Sequence, residues 1–349
     1  MLPGALRVPI VQAPLAGGAS TPALTAAVVE AGAFGFVAAG YKSAYALRDD
    51  IRATRELTAA PFGVNVFVPG RPTARGRYER YIEALRDEAG RQGVALGEPH
   101  FEDDSWEAKL LLLEDDPVAA VSFTFGCPPA DVVARMQAVG STVWVTVTDV
   151  EEAQRAAAAG ADVLIVQGIE AGGHRASFVD VEGAGEFGLL ALLQLVGAHT
   201  DLPLVASGAI ASGGAVAAVL CAGAQAAQLG TAFMRCPEAG TSPAHRAALA
   251  APAPTRLTRA FTGRQARGIV NRFLSEHSDD APLAYPEIHH VTAPLRAAGR
   301  AADDPDVINL WAGQAHELAR EAPAAEVVAA LAAQASKRLE AARRALEPS

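Results

Sequence analysis

Residues 162–175 read DVLIVQGIEAGGHR and contain the clearest strand-and-loop pattern of the chain. Its first half, DVLIVQG, is a short and almost continuous apolar run, which is typical of a strand buried on both faces, as in a parallel sheet. Its second half has a glycine pair followed by His174, which predicts a loop at the carboxyl end of that strand. A helical crossover must then return the chain before the next parallel strand can pair.

Seven further runs of the same kind occur along the chain, and helical patterns separate them, for example Thr21–Ala31, Ser43–Thr58, Asp149–Ala159 and Gly213–Ala222. Eight strands that alternate with helices favour an α/β fold of the (β/α)8 TIM-barrel type over an open doubly wound sheet. We predict the strands at Val8–Pro14, Gly35–Gly40, Phe62–Pro69, Ala119–Gly126, Thr142–Val147, Asp162–Gly168, Pro203–Ala209 and Ala226–Thr231.

Two regions interrupt this alternation. Residues from about 73 to 116 are charge-rich and too long for one crossover, so we predict a helical insertion there. Beyond about residue 240 the pattern becomes rich in loops, with helices expected near Asp306–Arg320 and Ala324–Leu346. We therefore assign residues 1–240 to the barrel and residues 241–349 to a C-terminal helical extension packed on it.

The composition excludes several classes of partner. Half of the 349 residues are apolar and the formal net charge is −10. Because no run of Lys and Arg occurs, we expect neither nucleic acid nor an anionic membrane surface as a partner. No apolar run reaches the roughly 18 residues of a membrane span. The start of the chain lacks the pattern of a secretion signal, and the three cysteines lack disulfide or metal spacing, so we expect a cytoplasmic protein without a metal.

In a (β/α)8 barrel, the working residues lie at the carboxyl ends of the strands. The first strand ends in Pro14-Leu15-Ala16, followed by two glycines that would let a ligand approach the backbone, although an ordinary tight turn explains them equally well. The third strand contains Asn65 in an otherwise apolar run. A buried amide needs hydrogen-bond partners, which either the neighbouring backbone or a ligand can provide.

The sixth strand exits through Gln167, Gly172 and His174. Histidine has the side-chain pKa nearest neutrality, so it can serve as an acid or a base. A single histidine in a loop is more often structural than catalytic. The adjacent amide and glycine pair are what favour a catalytic role for His174.

The seventh and eighth strands both exit through glycine-containing segments. Barrels of this type form their phosphate site at these two exits, from backbone N–H groups and a helix N-terminus. We therefore expect a phosphorylated cofactor there. The residues concerned are Gly208, Ala209, Gln228, Leu229, Gly230 and Thr231.

Other signals have a simpler interpretation. Residues 183–188 match GxGxxG, but a short acidic segment precedes them where a dinucleotide fingerprint needs a hydrophobic strand. Cys127 lies at a strand exit without a base beside it, so we interpret it as a small apolar thiol. Tyr285, His289 and His290 are candidates for closing the pocket, although a structural role is the simpler interpretation for each.

Several segments together resemble the nitronate monooxygenase family, formerly called 2-nitropropane dioxygenases. They occur in the family's order from Val8 to about Gln314, and the class resembled is the bacterial and yeast type that acts on small nitronates. Among these segments, QGIEAGGHR and the late AGQ are the most specific to the family. The segments are QAPLAGGASTPALTAAVVEAGAFGFVAAGY, FGVNVFVP, SFTFG, QGIEAGGHR, LVASGAI, QLGTAF and LWAGQ.

The resemblance implies an FMN enzyme that oxidises nitronates, such as propionate 3-nitronate or small alkyl nitronates, with O2 to a carbonyl compound and nitrite, without NAD(P)H. His174 matches the catalytic histidine of the family, and the nitronate anion is expected near His174 and Arg175. The implied FMN contacts are Pro14, Leu15, Ala16, Asn65, Gln167, Gly172, Gly208, Ala209, Gln228, Leu229, Gly230 and Thr231.

The chain departs from the family pattern at three positions. Leu15 stands where the family usually has Met, and Ala176 stands where a Gly is common. Ala209 replaces the second residue of a Gly-Gly pair. An alanine there can still donate its backbone N–H to a phosphate, unless the position requires a positive φ.

Two alternatives stay open at this point. One is an NAD(P)H-dependent quinone or enoyl-thioester reductase on the same scaffold, since a shared fold does not decide the reaction. SFTFG, Tyr41-Lys42 and the WAGQ region favour the monooxygenase. The other is a non-catalytic barrel that binds a flavin or a phosphate. The expected partners are a nitronate or nitroalkane and O2, and assembly as a homo-oligomer is left open.

Overall fold

The computed structural model describes residues 6–181, 183 and 185–346. In this part of the chain, eight parallel strands close into a barrel in sequence order, and the last of them pairs with the first. The predicted (β/α)8 TIM barrel is therefore confirmed. The barrel strands are β1 (Ile10–Gln12), β2 (Phe34–Ala38), β3 (Gly63–Phe67), β4 (Ala120–Thr124), β5 (Thr142–Val147), β6 (Val163–Gln167), β8 (Leu204–Ser207) and β9 (Ala226–Leu229).

Helices surround the barrel, and polar side chains fix where several of them begin. Thr21 caps the first helix by accepting a hydrogen bond of 3.0 Å from the backbone N of Leu24, and Asp149 caps the seventh at 2.8 Å from Glu152 N. The surrounding helices are α1 (Pro22–Glu30), α2 (Ala44–Leu57), α5 (Trp106–Asp115), α6 (Ala130–Ala138), α7 (Val150–Ala158), α8 (Leu189–Gly197), α9 (Gly213–Cys221) and α13 (Ala324–Leu346).

Aromatic side chains fill the amino-terminal half of the barrel interior. Trp144 is fully buried and stacks on Phe34 with ring centroids 5.6 Å apart, while Phe36 meets its edge at 5.2 Å. Further along the strands, side chains that also point into the barrel are polar, as at Asn65 and Gln228. These aromatic side chains thus close the amino-terminal end of the barrel, and polar side chains point into its open carboxyl end.

A second hydrophobic cluster lies outside the barrel and joins the insertion to the C-terminal region. The insertion forms a 3₁₀ turn (Arg75–Arg77), α3 (Glu79–Ala84) and α4 (Arg86–Gln92), whereas α5 belongs to the ring around the barrel. Tyr81 donates a hydrogen bond of 2.7 Å to the Ala260 carbonyl, and the buried Glu88 pairs with Arg272 at 2.8 Å. These contacts tie the insertion to chain that follows the barrel.

The C-terminal region carries a small antiparallel sheet over the barrel mouth. Its strand order is β10 (Thr255–Thr258), β11 (Ala266–Ile269) and β7 (Gly173–His174), so the loop predicted after the sixth strand contributes one strand. The region also contains α10 (Pro243–Ala250), α11 (Arg272–His277) and α12 (Glu287–Ala301), and a 3₁₀ turn at Thr231–Phe233 follows β9. The division of the chain at residue 240 stays a prediction. The last helix of the predicted extension, α13, packs beside α9 and α1 of the ring around the barrel.

The helix predicted near Asp306–Arg320 is wrong. Residues His316–Leu318 form one 3₁₀ turn, residues 305–308 form a turn and a bend, and the chain between them pairs with β11 through an isolated bridge at Trp311. Ile269 N donates to the Leu310 carbonyl at 2.8 Å, and Ala312 N donates to the Arg267 carbonyl at 3.2 Å. These long-range backbone hydrogen bonds replace the local ones that a helix would have made. Among the described residues, no helix is long and apolar enough to cross a membrane.

The contact between α9 and α13 generates a prediction. A Cβ on Gly213 would overlap Gln334 and lie 2.6 Å from the Leu331 carbonyl oxygen, so Gly213→Ala should force the helices apart and destabilise the fold by about 1–3 kcal/mol. A Cβ on the neighbouring Gly214 would have its nearest contact at 3.8 Å. Gly214→Ala should therefore be neutral or stabilise by up to about 1 kcal/mol. Denaturant unfolding of both variants tests this, and equal effects would contradict the packing.

Candidate functional site

A cavity of about 430 Å³ opens at the carboxyl ends of the barrel strands. This volume lies within the range of small-molecule sites. All of the site residues that the sequence predicted line it, although they come from five separate strand exits. They are Pro14, Leu15, Ala16, Asn65, Gln167, Gly172, His174, Gly208, Ala209, Gln228, Leu229, Gly230 and Thr231.

His174 lies in β7 and faces a group of aromatic rings. Its ring centroid is 5.6 Å from Phe125, 5.8 Å from Tyr285 and 5.5 Å from Trp311. Its Nε2 lies 2.8 Å from the hydroxyl of Thr262, in a segment 88 residues further along the chain. These contacts fix the plane of the imidazole.

The charge state of His174 follows from its surroundings. Burial, with the positive charges of Arg264 and Arg296, lowers the pKa of His174 to about 3. The ring is therefore neutral near pH 7 and can accept a proton or donate one N–H. An anion bound beside it would favour the protonated form.

Gln167 and Arg175 hold the loop that carries His174. Gln167 Nε2 donates to the His174 carbonyl at 3.2 Å, and its Oε1 accepts from the Ala176 backbone N at 2.9 Å. Arg175 donates to the carbonyls of Gly168 and Gly185 at 2.6 and 2.7 Å. Arg175 is 1% exposed and does not line the cavity, so the expectation that it lies near the substrate is wrong.

Two amide side chains have acceptor oxygens that the protein leaves unused. Asn65 Nδ2 donates to the hydroxyls of Ser122 and Thr124, both at 2.9 Å, while no described residue donates to Asn65 Oδ1. Gln228 Oε1 is buried and also lacks a partner in the described part of the chain. Because buried acceptors require donors, these two oxygens fit the polar edge of a ring ligand.

The exits of β8 and β9 form a group of free backbone donors. The N–H groups of Gly208, Ala209, Gly230 and Thr231 have no acceptor among the described residues, and all four residues line the cavity. Such a group of N–H donors fits a phosphate. Ala209 has a φ of +48°, which is unfavourable for a residue with a Cβ and explains why a glycine would suit this position.

Close packing explains one predicted glycine independently of a ligand. A Cβ on Gly172 would overlap the backbone of Ala312 and Gly313, which passes over the loop. The glycine therefore lets the late WAGQ segment approach the loop that carries His174. This segment also contains Trp311, which lines the cavity, so the family-like WAGQ sequence forms part of the cavity wall.

Sequence reasoning missed several residues of this wall, notably Thr262 and Arg296. They lie in ordinary loop or helix patterns, and only the folded chain brings them to the barrel mouth. Of the three pocket-closing candidates, His289 lines the cavity, Tyr285 contacts the His174 ring, and His290 stacks on His100 elsewhere. Cys127 does not line the cavity, and burial raises the pKa of its thiol, which keeps it protonated and a poor nucleophile.

The low pKa of His174 generates a prediction on stability. Because the unfolded chain binds a proton near pH 6.5 and the folded chain only near pH 3, wild-type stability should fall as the pH drops below 6.5. His174→Asn removes this contribution. As the pH is lowered from 7 to 5, the free energy of unfolding of His174→Asn minus that of wild type should therefore rise by up to about 2 kcal/mol. Denaturant unfolding without substrate tests this. His199→Asn, in the exposed turn that follows α8, is the matched control, and parallel curves for His174→Asn and wild type would contradict the prediction.

Comparison with known proteins gives a consistent result. A family model described as nitronate monooxygenase matches residues 3–334. The chain is 43% identical to the nitronate monooxygenase of Pseudomonas aeruginosa, over 93% of this chain and 95% of that one. It is 39% identical to the nitronate monooxygenase of Paraburkholderia phytofirmans, over 93% and 91% of the two chains.

Solved structures agree with this assignment. The nitroalkane oxidase of Streptomyces ansochromogenes is 50% identical and superposes with a TM-score of 0.94, over 98% of both chains. FabK of Thermotoga maritima is 23% identical with a TM-score of 0.77, over 98% of this chain and 97% of that one, a likeness that indicates the fold alone. The chain belongs to the nitronate monooxygenase family of flavin-dependent oxidoreductases.

Proposed function

We propose that this chain uses FMN and O2 to oxidise nitronates to a carbonyl compound and nitrite, without NAD(P)H. The observation that carries the proposal is the cavity at the barrel mouth in which His174 lies together with unpaired amide oxygens and free backbone N–H groups. Family membership supports the reaction class. The cytoplasmic location and assembly as a homo-oligomer stay predictions.

The residues around the cavity fit FMN. The free N–H groups of Gly208, Ala209, Gly230 and Thr231 would hold its phosphate, and the oxygens of Asn65 and Gln228 would accept hydrogen bonds from its ring or ribityl chain. When bound, FMN supplies electron acceptance from the nitronate and reaction with O2. Pro14, Leu15, Ala16, Gln167, Gly172 and Leu229 would shape the surrounding wall.

His174 is assigned the role of holding the nitronate. Its neutral imidazole can donate a hydrogen bond to a nitronate oxygen, and the anion would in turn stabilise a protonated ring. Thr262, bonded to Nε2, and the surrounding rings keep this group in place and limit access of water. A base whose conjugate acid has a pKa near 3 abstracts a proton from a neutral nitroalkane poorly, so preformed nitronates are the favoured substrates.

A direct assay tests the reaction. Purified yellow protein should consume O2 and release nitrite with propionate 3-nitronate and ethyl nitronate in the absence of NAD(P)H, and should act far more slowly on the neutral nitroalkanes. Flavin that is bleached anaerobically by NADH or NADPH, combined with no turnover of nitronates, would instead support the reductase. Binding of flavin without turnover of either substrate class would support the non-catalytic barrel.

Removal of the imidazole should separate catalysis from cofactor binding. His174→Ala should lower kcat/KM for nitronates by about 100-fold or more while the flavin content stays at the wild-type level, because the phosphate and ring contacts lie elsewhere. His199→Ala, which changes an exposed histidine in the turn after α8, should keep wild-type turnover. Wild-type rates in fully loaded His174→Ala would refute the assignment of this residue.

A further inference from the structure

Three side chains with metal-binding atoms meet outside the cavity, between α12 and the crossover segment (residues 94–103) that follows α4. One ligand atom from each of His100, Glu102 and His290 lies within 4.8 Å of the other two. None of the three residues lines the cavity at the barrel mouth. His290 is far from the other two along the chain, so an expectation based on local spacing, that of a protein without a metal, could not take this group into account.

Backbone packing holds the crossover segment against α12. The segment forms neither helix nor strand, and Gly97 N donates to the Val291 carbonyl at 3.0 Å. A Cβ on Gly97 would lie 2.1 Å from the His290 carbonyl oxygen, so only a residue without a Cβ allows this close approach. The fold therefore places His100 and Glu102 beside His290 through backbone contacts that do not involve their side chains.

The distance between His290 and Glu102 fits two ligands of one ion better than it fits a hydrogen bond. His290 Nε2 lies 3.4 Å from Glu102 Oε1, whereas an N–H···O hydrogen bond usually spans about 2.7–3.2 Å. Nε2 is buried and has no hydrogen-bond partner among the described residues. Two ligand atoms at about 2.0–2.2 Å from a tetrahedral ion lie about 3.4 Å from each other. An ion between these two atoms would give the buried nitrogen the partner that it lacks.

His100 adds a second imidazole. The ring centroids of His100 and His290 are 3.8 Å apart, with the ring planes inclined by 20°. His100 Nδ1 lies 3.0 Å from the Glu98 carbonyl oxygen. Because a carbonyl only accepts, this hydrogen bond puts the proton on Nδ1 and leaves the lone pair of Nε2 free, as is usual for metal-binding histidines. Burial and the nearby His100 lower the pKa of His290, so its ring is in the neutral form that binds a metal.

A second group of this kind in the described part of the chain makes the difference clear. Glu88, Glu276 and His277 also have ligand atoms within 4.8 Å of one another. There, Arg272 donates to both oxygens of Glu88 at 2.8 Å and lowers the pKa of this carboxyl group to about 2. A metal would have to displace this guanidinium. Glu102, by contrast, has no Lys or Arg within ion-pair distance among the described residues.

We propose that His100, Glu102 and His290 bind a Zn²⁺ ion, which joins the crossover segment to α12 outside the cavity. Two imidazoles and one carboxylate are a donor set that Zn²⁺ accepts in proteins, whereas Mg²⁺ and Ca²⁺ prefer oxygen ligands. Three protein ligands leave one position for water. Because His100 and Glu102 are exposed, the ion can exchange with solvent. The inference does not depend on the oxidation of nitronates.

Titration of Zn²⁺ into flavin-loaded, metal-free protein without a histidine tag tests the proposal. Calorimetry should find one site with a Kd of about 10 μM or lower, and Zn²⁺ at about a hundredfold excess over Kd should raise the thermal unfolding midpoint by about 3–7 °C. His100→Ala and Glu102→Gln should each weaken binding by at least about tenfold and remove most of this rise. His199→Ala and Glu151→Gln, which change exposed residues elsewhere, are the matched controls and should bind Zn²⁺ as wild type does.

Co²⁺ provides a spectroscopic readout that needs no variant. Bound in a four-coordinate site with nitrogen ligands, Co²⁺ should add absorption at wavelengths longer than the flavin bands, and Zn²⁺ should remove this absorption by competition. Mg²⁺ at the same concentration should not remove it, because it binds nitrogen ligands poorly.

The outcomes decide for or against this site. Loss of Zn²⁺ binding in His100→Ala and Glu102→Gln, with wild-type binding in both controls, would support it. Absence of saturable binding by wild type would overturn it, as would wild-type affinity in both cluster variants. Equal loss in His174→Ala would place the ion in the cavity and would also overturn it. Unfolding without metal checks that each variant is folded; if one is not, the other variant and the Co²⁺ competition still decide.

Discussion

The parallel pairing of β1 with β9 closes the sheet into a barrel and thereby sets the position of every strand exit. Val11 lies opposite Gln228 and Gln12 opposite Leu229, which closes the sheet and places the turn after β1 beside the exit of β9. In a closed parallel barrel, every carboxyl end meets at one rim. Segments far apart along the chain, from Pro14 to Thr231, can therefore line one cavity.

The barrel interior changes character along its axis, and this change gives the cavity its depth. The aromatic packing of Trp144 with Phe34 and Phe36 closes the amino-terminal half. Two residues further along a strand, a side chain that points into the barrel can be polar, because a ligand that enters through the open rim can complete its hydrogen bonds. Asn65 and Gln228 occupy this level, and their unused oxygens indicate that the protein alone does not complete it.

Electrostatics distinguish this cavity from the rest of the molecule. The chain has a net charge of −10, yet the described cavity wall contains arginines and no carboxylate. The same cations that help to keep His174 neutral would stabilise a bound anion. Free backbone donors at one side and the guanidinium of Arg296 at another give two chemically distinct places for negative charge.

The sequence by itself determined the barrel, the strand exits and the position of His174, because short buried strands and glycine-rich exits are local patterns. The tertiary structure decided those features that depend on contacts between segments far apart along the chain. Residues 309–313 are not helical because they bond to β11, and Arg175 is buried because it holds loop carbonyls, although its neighbour His174 faces the cavity. Arg296 lies in an unremarkable helical pattern, and its role as an unpaired cation depends on which side chains surround it after folding.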